Sequence, residues 1–567
     1  MGLISRLTFY EILGIWKEKM SYDDVISLLG DFGRYQKKIY FLLCLPAILC
    51  AFHKLGNVFL IAESNSRCKL PYELSNSSYY INDTEWKKWF PYNKTSQKIS
   101  SYCLINSSST PGEPLQRCEE FIYDHTTYGY TAVTDWNLNC GKEYLIAISN
   151  SLFMFGVMFG SIGFGELSDR WGRKKTFFLS LVVQVVFGTI AAFAPEFWTF
   201  TIARSVVGAT TSGVFLVAYV IGLEMVGSSM RMVAGTVCQI FFSFGYMLTA
   251  VFAIYINDWR TLQFALTMPG LIFLTYWWLI PESARWLVSK NRLEEAKMYI
   301  QAAAKCNKVD IPDKTLDQLL KPSENSSSKK ESKPSIFNIF KYPNLRNRSL
   351  IIFFDWFANN ITYYGLSWNT NNLGGDPYLN FVISGAVEIP AYIFLLLTLN
   401  KWGRKNVMSG CMIFAGTALL LTMIVPQNLQ WLIVTLAMLG KLAITASYGA
   451  VYIFSTEQFP TVVRNAGLGA GSTCARVGSI ITPYINITAH IWQPLPLLIF
   501  GALAFLGGLM SLILPETLNR KLPETFEEGE AFGKKEIHLT INSEELMKMN
   551  IEEENTKCDV TAADFKT

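Results

Sequence analysis

The stretch GELSDRWGRKK, from Gly165 to Lys175, lies between two long apolar runs of this 567-residue chain. A similar stretch, LNKWGRKN from Leu399 to Asn406, again separates two apolar runs. Two further polar motifs recur, because LEMVGSSMR returns as TEQFPTVVR and PES at 281–283 returns as PET at 515–517. The three repeats are offset by 231, 233 and 234 residues. Such regular recurrence predicts two homologous halves, each with its own membrane spans.

The composition favours a membrane protein. Hydrophobic residues make up 50% of the chain, charged residues only 17%, and the mean hydropathy is +0.24. An ordinary soluble enzyme is less apolar, so the surplus apolar surface is expected to face lipid. The net charge of +4 gives no field that would attract nucleic acid. The predicted spans hold no nucleophile–base set and no metal-ligand cluster, so we predict neither an enzyme nor a cofactor or metal site.

Twelve apolar runs are long enough to cross about 30 Å of hydrocarbon. They lie near residues 37–62, 143–165, 176–195, 198–222, 232–256, 262–280, 347–373, 378–399, 407–426, 429–455, 465–488 and 494–514. Each half of the chain holds six of these runs. The sequence therefore predicts an all-α membrane protein of twelve transmembrane helices.

The distribution of Lys and Arg predicts the orientation. The segment 281–348 has fourteen Lys and Arg against eight Asp and Glu, and the clusters at Arg173 and Arg404 fall on its side of the membrane if the spans alternate. Positive charge concentrates in cytoplasmic loops, so this side and both termini are predicted to be cytoplasmic, with no cleaved signal peptide. The predicted organisation is a segment 1–36, a half 37–280 with an extracellular loop 63–142, a linker 281–346, a half 347–515 and a tail 516–567.

The loop 63–142 has the features of an extracellular segment. Four sequons predict glycosylation at Asn76, Asn82, Asn93 and Asn106. Its four cysteines, Cys68, Cys103, Cys118 and Cys140, predict two disulfides, with free thiols as the alternative and three connectivities open. In contrast, the low-complexity run 321–335 in the linker is expected to form a flexible tether, and the acid-rich tail is expected to be mobile.

The motifs around these landmarks resemble a known family. GELSDRWGRK resembles the loop after the second span of the major facilitator superfamily. PESARWL, STEQFPTVVRN and LPETLNRKLPET resemble segments of solute carrier family 22, the organic cation, carnitine and organic anion transporters, and above all its organic cation transporter-like members. The resemblance covers nearly the whole chain. It implies the major facilitator fold and the disulfides Cys68–Cys118 and Cys103–Cys140.

The recurring charges at the predicted cytoplasmic ends of the spans indicate a gate. Opposite charges there can bridge helices when the cytoplasmic side is shut, and each exposed pair contributes about 0.2–1 kcal/mol. The alternative is a positive patch that only sets topology, with the acids neutralising it. Asn400 stands where the second half would match Asp169, which weakens that part of the repeat. The predicted gating residues are Asp169, Arg170, Arg173, Glu224, Arg231, Glu457 and Arg464.

Five ionisable residues within predicted spans are candidates for the central site, because each such residue costs about 2.5–3.5 kcal/mol on insertion scales. Arg204 resembles a superfamily arginine of the fourth span and has either a structural or a coupling role. Glu388 can bind a substrate ammonium or neutralise a buried base such as Lys441. Asp355 either lines the pore or is solvated near the membrane entry. Arg476, in the eleventh span, can hold a carboxylate through two parallel hydrogen bonds.

Aromatic residues surround these charges, and quaternary ammonium groups bind aromatic faces with about 0.5–2 kcal/mol per contact. The resemblance also bears on the substrate class. The cation-restricted branch of the family has Asp at the position of Arg476 and Glu at the position of Gly449, and this chain has neither acid. We predict a polyspecific transporter of organic cations or carnitine-like zwitterions that works by alternating access. The alternatives are an organic anion transporter or exchanger and a non-transporting sensor. The predicted substrate-binding residues are Arg476, Glu388, Trp356, Tyr363, Gln239, Phe215 and Lys441.

The predicted partners follow from this assignment. They are a small organic cation or zwitterion, the lipid bilayer and a coupling ion that is sodium or a proton, with no nucleic acid. The predicted location is the plasma membrane, crossed many times.

Overall fold

The computed structural model describes residues 22–74, 77–90, 103–106, 115–312, 316–317, 336–426 and 428–533. This part of the chain contains twelve helical segments in two sets of six, which confirms the predicted fold class. The segments, called spans 1 to 12, are Arg34–Leu60, Tyr144–Trp171, Arg173–Ala192, Phe197–Glu224, Ser228–Tyr255, Trp259–Leu279, Pro343–Trp368, Pro377–Trp402, Arg404–Leu421, Gln430–Gln458, Arg464–Ile487 and Leu495–Ser511. Eight of them are individually long and apolar enough to cross a membrane.

Three spans are interrupted, and the interruptions at Gly56 of span 1 and Val387 of span 8 lie close to the charged residues Lys54 and Glu388. Span 1 consists of helices Arg34–Cys44, Pro46–Leu55 and Asn57–Leu60. Span 6 consists of Trp259–Thr267, Pro269–Leu274 and Tyr276–Leu279, and span 8 of Pro377–Ala386 and Glu388–Trp402. Proline lacks a backbone N–H, so it breaks the hydrogen-bond ladder at or just before its position, and Pro46, Pro269 and Pro390 account for the breaks they adjoin.

The loop between spans 1 and 2 folds around two small antiparallel sheets. Strand Ser66–Cys68 pairs with Phe121–Tyr123, and Leu104–Asn106 pairs with Leu115–Arg117. Helices Asp83–Trp89 and Ala132–Asp135 complete the described part of the loop. We call this end of the protein the loop side and the opposite end, with residues 281–312 and 336–342, the linker side.

Two disulfides hold the loop. They join Cys68 to Cys118 and Cys103 to Cys140, with Cα atoms 5.5 and 5.4 Å apart. This confirms the pairing that the family resemblance implies. Of the predicted glycosylation sites, Asn82 is exposed and Asn106 is half-buried, whereas Asn76 and Asn93 lie outside the described residues. Modification of all four stays a prediction.

The linker side carries ordered helices. Helices Ala284–Ser289 and Leu293–Asn307 follow span 6, and Leu293–Asn307 shares an apolar cluster with the N-terminal helix Tyr22–Leu28. Short 3-10 turns cover Ser228–Met230 and Ile336–Lys341 on the linker side. Two others, Thr370–Asn372 and Thr488–His490, lie on the loop side. The predicted tether 321–335 lies outside the described residues.

The tail after span 12 is partly ordered, so the expectation of mobility from residue 516 is wrong up to residue 533. Helix Phe526–Ala531 packs on the beginning of span 7. Glu530 accepts hydrogen bonds from the backbone N–H groups of Asn344 and Leu345, at 2.9 and 3.0 Å. An acid at a helix N-terminus satisfies free N–H groups and complements the helix dipole, which explains why this segment docks there.

The two halves meet on the loop side. Phe59 of span 1 stacks on Tyr378 with ring centroids 5.2 Å apart and contacts Phe381 at 4.7 Å. The Asn371 amide donates to the carbonyl of Val58 at 3.2 Å. Hydrogen bonds, an ion pair and ring contacts join the halves between the middle of the membrane and the loop side. The structure therefore has its loop side closed.

An ion pair contributes to this closure. Nε2 of His490, after span 11, lies 3.2 Å from Oε2 of Glu63, after span 1, and both side chains are about two-fifths exposed. The hydrogen bond that His490 donates to Glu63 raises the pKa of His490, and burial opposes this effect. The pair joins the two halves outside the spans.

Candidate substrate site and charge networks

The linker-side charges of the first half form a compact network. Arg173 lies between Asp169 and Glu224, with its guanidinium 3.2 Å from the Glu224 carboxylate. The Ser283 hydroxyl donates to Glu224 at 2.5 Å. Glu282 accepts from the backbone N–H groups of Arg173 and Lys174, at 3.0 and 3.1 Å, and thus caps the N-terminus of span 3. This network ties spans 2, 3 and 4 to the start of the linker.

The second half repeats the network with matched residues. Arg404 lies 3.2 Å from the carboxylate of Glu457, and the Thr517 hydroxyl donates to the same carboxylate. Glu516 accepts from the backbone N–H groups of Arg404 and Lys405, at 3.0 and 3.2 Å. The PES and PET motifs, which sequence analysis used only as landmarks of the repeat, thus supply a helix cap and a hydroxyl donor in each half.

The predicted gating residues divide between this network and its surroundings. Arg173, Asp169, Glu224 and Glu457 are members, and Arg404 is a member that sequence analysis did not select. Arg170 pairs with the exposed Glu166 on its own helix. Arg231 and Arg464 lie in the first turns of spans 5 and 11.

Each network lies within one half in this structure, where the loop side is closed. A bridge between the halves at the linker side belongs to a different conformation, so gating by these charges stays a prediction.

Glu388 is the centre of a fully buried cluster between the halves. Its carboxylate lies 3.2 Å from Nζ of Lys441, and both side chains are at most 1% exposed. The Tyr363 hydroxyl donates to Glu388 at 2.6 Å, and the Ser243 hydroxyl, from the first half, donates at 2.8 Å. A buried carboxylate with one cation and two hydroxyl donors is well satisfied. These contacts fit the neutralising role of Glu388, and its direct contact with substrate stays a prediction.

Aromatic rings extend from this cluster along spans 7 and 10. Lys441 Nζ lies over the Tyr363 ring, 3.4 Å from its centroid, and Tyr363 stacks on Tyr448 at 5.7 Å. Trp356 meets Tyr452 edge-on at 4.4 Å and donates from Nε1 to a span 10 hydroxyl. Trp356 is fully buried, whereas Tyr452 is 39% exposed. Tyr452 and the half-buried Tyr448 therefore present the accessible faces, whereas Tyr363 and Trp356 are buried behind them.

Arg476 lies beside this aromatic wall, on span 11. Its guanidinium is near the hydroxyls of Tyr364, Tyr448 and Tyr452, and the side chain is half-buried. Its Nε is buried without a hydrogen-bond partner. Within the described residues no carboxylate forms an ion pair with it. Arg476 therefore keeps unused hydrogen-bonding capacity, and its contact with a substrate carboxylate stays a prediction.

Sequence analysis missed Lys54, a second buried cation near this wall. The side chain is 7% exposed, and its ammonium lies over the rings of Phe215 and Phe242, 5.3 and 5.6 Å from their centroids. It lies close enough to Arg476 for the two charges to interact. The sequence could have identified Lys54, because it is an ionisable residue inside the predicted span 37–62. Phe215 is thus placed near the site, as predicted.

The remaining three candidates lie on spans 4, 5 and 7. Gln239 lies half-buried on span 5, one helical turn from Ser243. Arg204 is buried and donates to the Gln263 amide at 3.1 Å and to the His53 carbonyl at 3.0 Å, which favours its structural role. Asp355 is fully buried and accepts from the span 12 hydroxyl of Ser511 at 2.8 Å, so the solvated role predicted for it is wrong and the pore role stays a prediction.

Two six-helix halves that close around buried charges and aromatic faces define a secondary membrane transporter. Comparison with known proteins also assigns the chain to the membrane transporters. The chain belongs to the sugar (and other) transporter family, whose model matches residues 76–528, and within it to solute carrier family 22. The superfamily fold and the assignment as a transporter rather than an enzyme are thereby established.

Several relatives match over almost their full length. The organic cation transporter protein of Drosophila melanogaster is 55% identical over 528 residues, covering 91% of this chain and 96% of that protein. The human organic cation/carnitine transporter 2 is 36% identical over 525 residues, covering 89% and 93%. Mouse solute carrier family 22 member 21 is 36% identical, covering 90% and 93%.

Among solved structures, the chain is similar to the Escherichia coli xylose transporter XylE in a partially occluded inward open conformation. The TM-score is 0.57 at 15% identity, covering 86% of this chain and 100% of that one. At this identity the likeness concerns the fold alone.

Proposed function

We propose that this chain moves small organic cations or zwitterions, in particular carnitine-like quaternary ammonium carboxylates, across the plasma membrane by alternating access. The names of the relatives, organic cation transporter and organic cation/carnitine transporter, support this substrate class. In this proposal the loop side is extracellular, and both termini lie in the cytoplasm.

One observation carries the choice of a zwitterion. Arg476 lies at the central site without a carboxylate partner, whereas the only buried carboxylate beside the aromatic wall among the described residues, Glu388, is held by Lys441. A substrate carboxylate would complete Arg476 with charge-assisted hydrogen bonds. Its ammonium would lie against the faces of Tyr448 and Tyr452, where cation–π attraction needs no free acid.

The halves move while the substrate stays between them. Glu388 accepts from Ser243 of the first half and pairs with Lys441 of the second, so the cluster contacts both halves. A change in the approach of the halves must therefore alter this contact. The linker-side networks keep each half rigid during that movement, because they tie several spans together within one half.

A second candidate, an organic anion transporter, has one specific observation in its favour. Lys54 and Arg476 are both cations without an acidic partner within the described residues. A purely anionic substrate would satisfy both.

The experiment is uptake of labelled carnitine, tetraethylammonium and p-aminohippurate by cells that express this chain or its Arg476→Asp variant, with and without sodium. We expect carnitine uptake in the wild type and its loss in the variant. Tetraethylammonium uptake that is indifferent to the substitution, without carnitine uptake, would contradict the zwitterion. Saturable binding without uptake would favour a sensor, and dependence on sodium or pH would identify the coupling ion.

A further inference from the structure

Lys54 is an unusual feature of the central site. It lies in the last turn of the second helix of span 1, two residues before the interruption at Gly56. Its ammonium lies over the rings of both Phe215 of span 4 and Phe242 of span 5. The Trp368 indole of span 7 donates to the Lys54 carbonyl at 3.4 Å, so the residue lies where the halves meet.

The charge of Lys54 is not balanced by the protein. The groups that interact with it electrostatically are Arg476, Cys50 and Tyr448, and none is a carboxylate. No ion pair of Lys54 occurs within the described residues. Two cation–π contacts replace only part of the hydration that a buried ammonium loses, so the residue is left with capacity for a counter-ion.

Lys54 and Arg476 come from opposite halves. Lys54 belongs to span 1 and Arg476 to span 11, and each charge is close enough to affect the other. Like charges repel more strongly in a poorly hydrated cavity than in water. An empty site therefore opposes the approach of the two halves at this point, and an anion between the cations would remove that opposition.

We propose that Lys54 and Arg476 together form a two-cation subsite that binds the carboxylate of the substrate between the halves. This inference rests on the proposed function and adds to it a second recognition residue and the way in which substrate promotes closure. Lys54 supplies a point charge, and Arg476 supplies the two-pronged hydrogen bonds. Phe215 and Phe242 position Lys54 and exclude water from its other side.

A consequence concerns exchange. Since the empty carrier brings two cations together, its return should be slower than that of the loaded carrier. Unlabelled substrate on the opposite side should then accelerate the flux of labelled substrate in the wild type. Lys54→Met removes the repulsion, so unlabelled substrate on the opposite side should hardly accelerate the flux of labelled substrate in this variant.

The test compares the KM values of carnitine and tetraethylammonium for the wild type, Lys54→Met, Lys54→Gln and Lys54→Arg, with uptake corrected for protein at the cell surface. Losing one charge-assisted contact should raise the KM of carnitine about tenfold or more in the Met and Gln variants. Tetraethylammonium has no carboxylate, so its KM should stay the same or fall. Lys54→Arg should retain most of the carnitine affinity.

The matched control is Lys37→Met. Lys37 also lies over an aromatic ring, that of Phe32 at 5.8 Å, but it is exposed at the linker side. This variant should behave as the wild type with both substrates. An unchanged carnitine KM in the Met and Gln variants, or an equal rise for both substrates, overturns the inference.

Failure of the proposed function gives a different pattern. If the wild type moves p-aminohippurate but not carnitine, the zwitterion is wrong, and loss of p-aminohippurate uptake in Lys54→Met would still support the subsite. If it moves only tetraethylammonium, the zwitterion and the two-cation subsite are both wrong, and transport of organic cations remains. If it moves none of the three, thermal stabilisation of the purified protein by p-aminohippurate decides: stabilisation abolished by Lys54→Met supports the subsite, and no stabilisation overturns it.

Discussion

The pair Glu388 and Lys441 offers a quantitative prediction. Removing one partner, as in Lys441→Met, leaves a carboxylate that is 0% exposed without its cation 3.2 Å away. Breaking a buried pair in this way costs about 3–5 kcal/mol of stability. The hydroxyls of Tyr363 and Ser243 remain as donors, so we expect the lower end of this range. Glu388→Gln should cost a similar amount, since it leaves the ammonium unpaired.

The double variant Glu388→Gln/Lys441→Met should recover much of this loss, because it contains no unpaired buried charge. We expect it to lie within about 2 kcal/mol of the wild type, with a coupling energy of about 2 kcal/mol or more between the positions. The assay is unfolding of the purified protein by SDS in mixed micelles, followed by tryptophan fluorescence. Additive losses would refute the ion pair as the main role of Glu388.

The same variants separate structure from recognition. If the aromatic wall receives the ammonium, the folded double variant should still take up tetraethylammonium at a rate within about tenfold of the wild type. If Glu388 itself holds the ammonium, the double variant should fold and yet lose uptake.

Three further predictions concern the loop side, the networks and span 7. The stabilising pair at His490 is complete below its ordinary pKa of about 6.5 and is lost as the pH rises through its raised pKa, so acidification on the loop side should favour the closed loop side. The pair is about two-fifths exposed and contributes about 0.2–1 kcal/mol, and His490→Gln should remove this pH dependence of uptake. Arg404→Met should lower surface-corrected uptake as much as Arg173→Met does, because their networks match; wild-type uptake in only one of them would contradict this equivalence. Asp355→Asn should keep the hydrogen bond from span 12 and change the free energy of unfolding by less than about 1 kcal/mol, and a loss above 3 kcal/mol would show that the carboxylate has a cationic partner.

The fold could be predicted from two features. The length of each apolar run reflects the thickness of the membrane, and the regular spacing of the repeated motifs reflects two similar halves. All twelve spans were located, with ends displaced by several residues. Polar or aromatic residues such as Arg34, Trp171 and Trp402 continue the helices beyond the apolar runs. A backbone that leaves the hydrocarbon still keeps its helical hydrogen bonds, so the apolar run underestimates the helix.

The partners within the networks could not be predicted from spacing. Sequence analysis listed Glu224, Arg231 and Arg173 together as gating charges without assigning partners, and the structure pairs Glu224 with Arg173, 51 residues away. The contact depends on how spans 2 to 4 pack. The helix caps at Glu282 and Glu516 likewise depend on a linker and a tail that return to the start of spans 3 and 9.

The central site was partly predictable. Arg476, Glu388 and Lys441 stood out as charges inside apolar runs, and the structure brings them to one wall. Lys54 carried the same signal but was overlooked near the end of its span. Trp356 was predicted to bind substrate but is fully buried, because the sequence does not reveal which aromatic ring faces the cavity and which lies behind it.

The measurement that tests the central claim most directly is the affinity of the purified protein for carnitine, choline and 3-hydroxybutyrate. Carnitine carries both an ammonium and a carboxylate, choline lacks the carboxylate, and 3-hydroxybutyrate lacks the ammonium. Recognition of both ends predicts that carnitine binds at least about tenfold more tightly than either of the others. Choline binding as tightly as carnitine would contradict the role of Arg476, and equally tight 3-hydroxybutyrate binding would contradict the role of the aromatic wall.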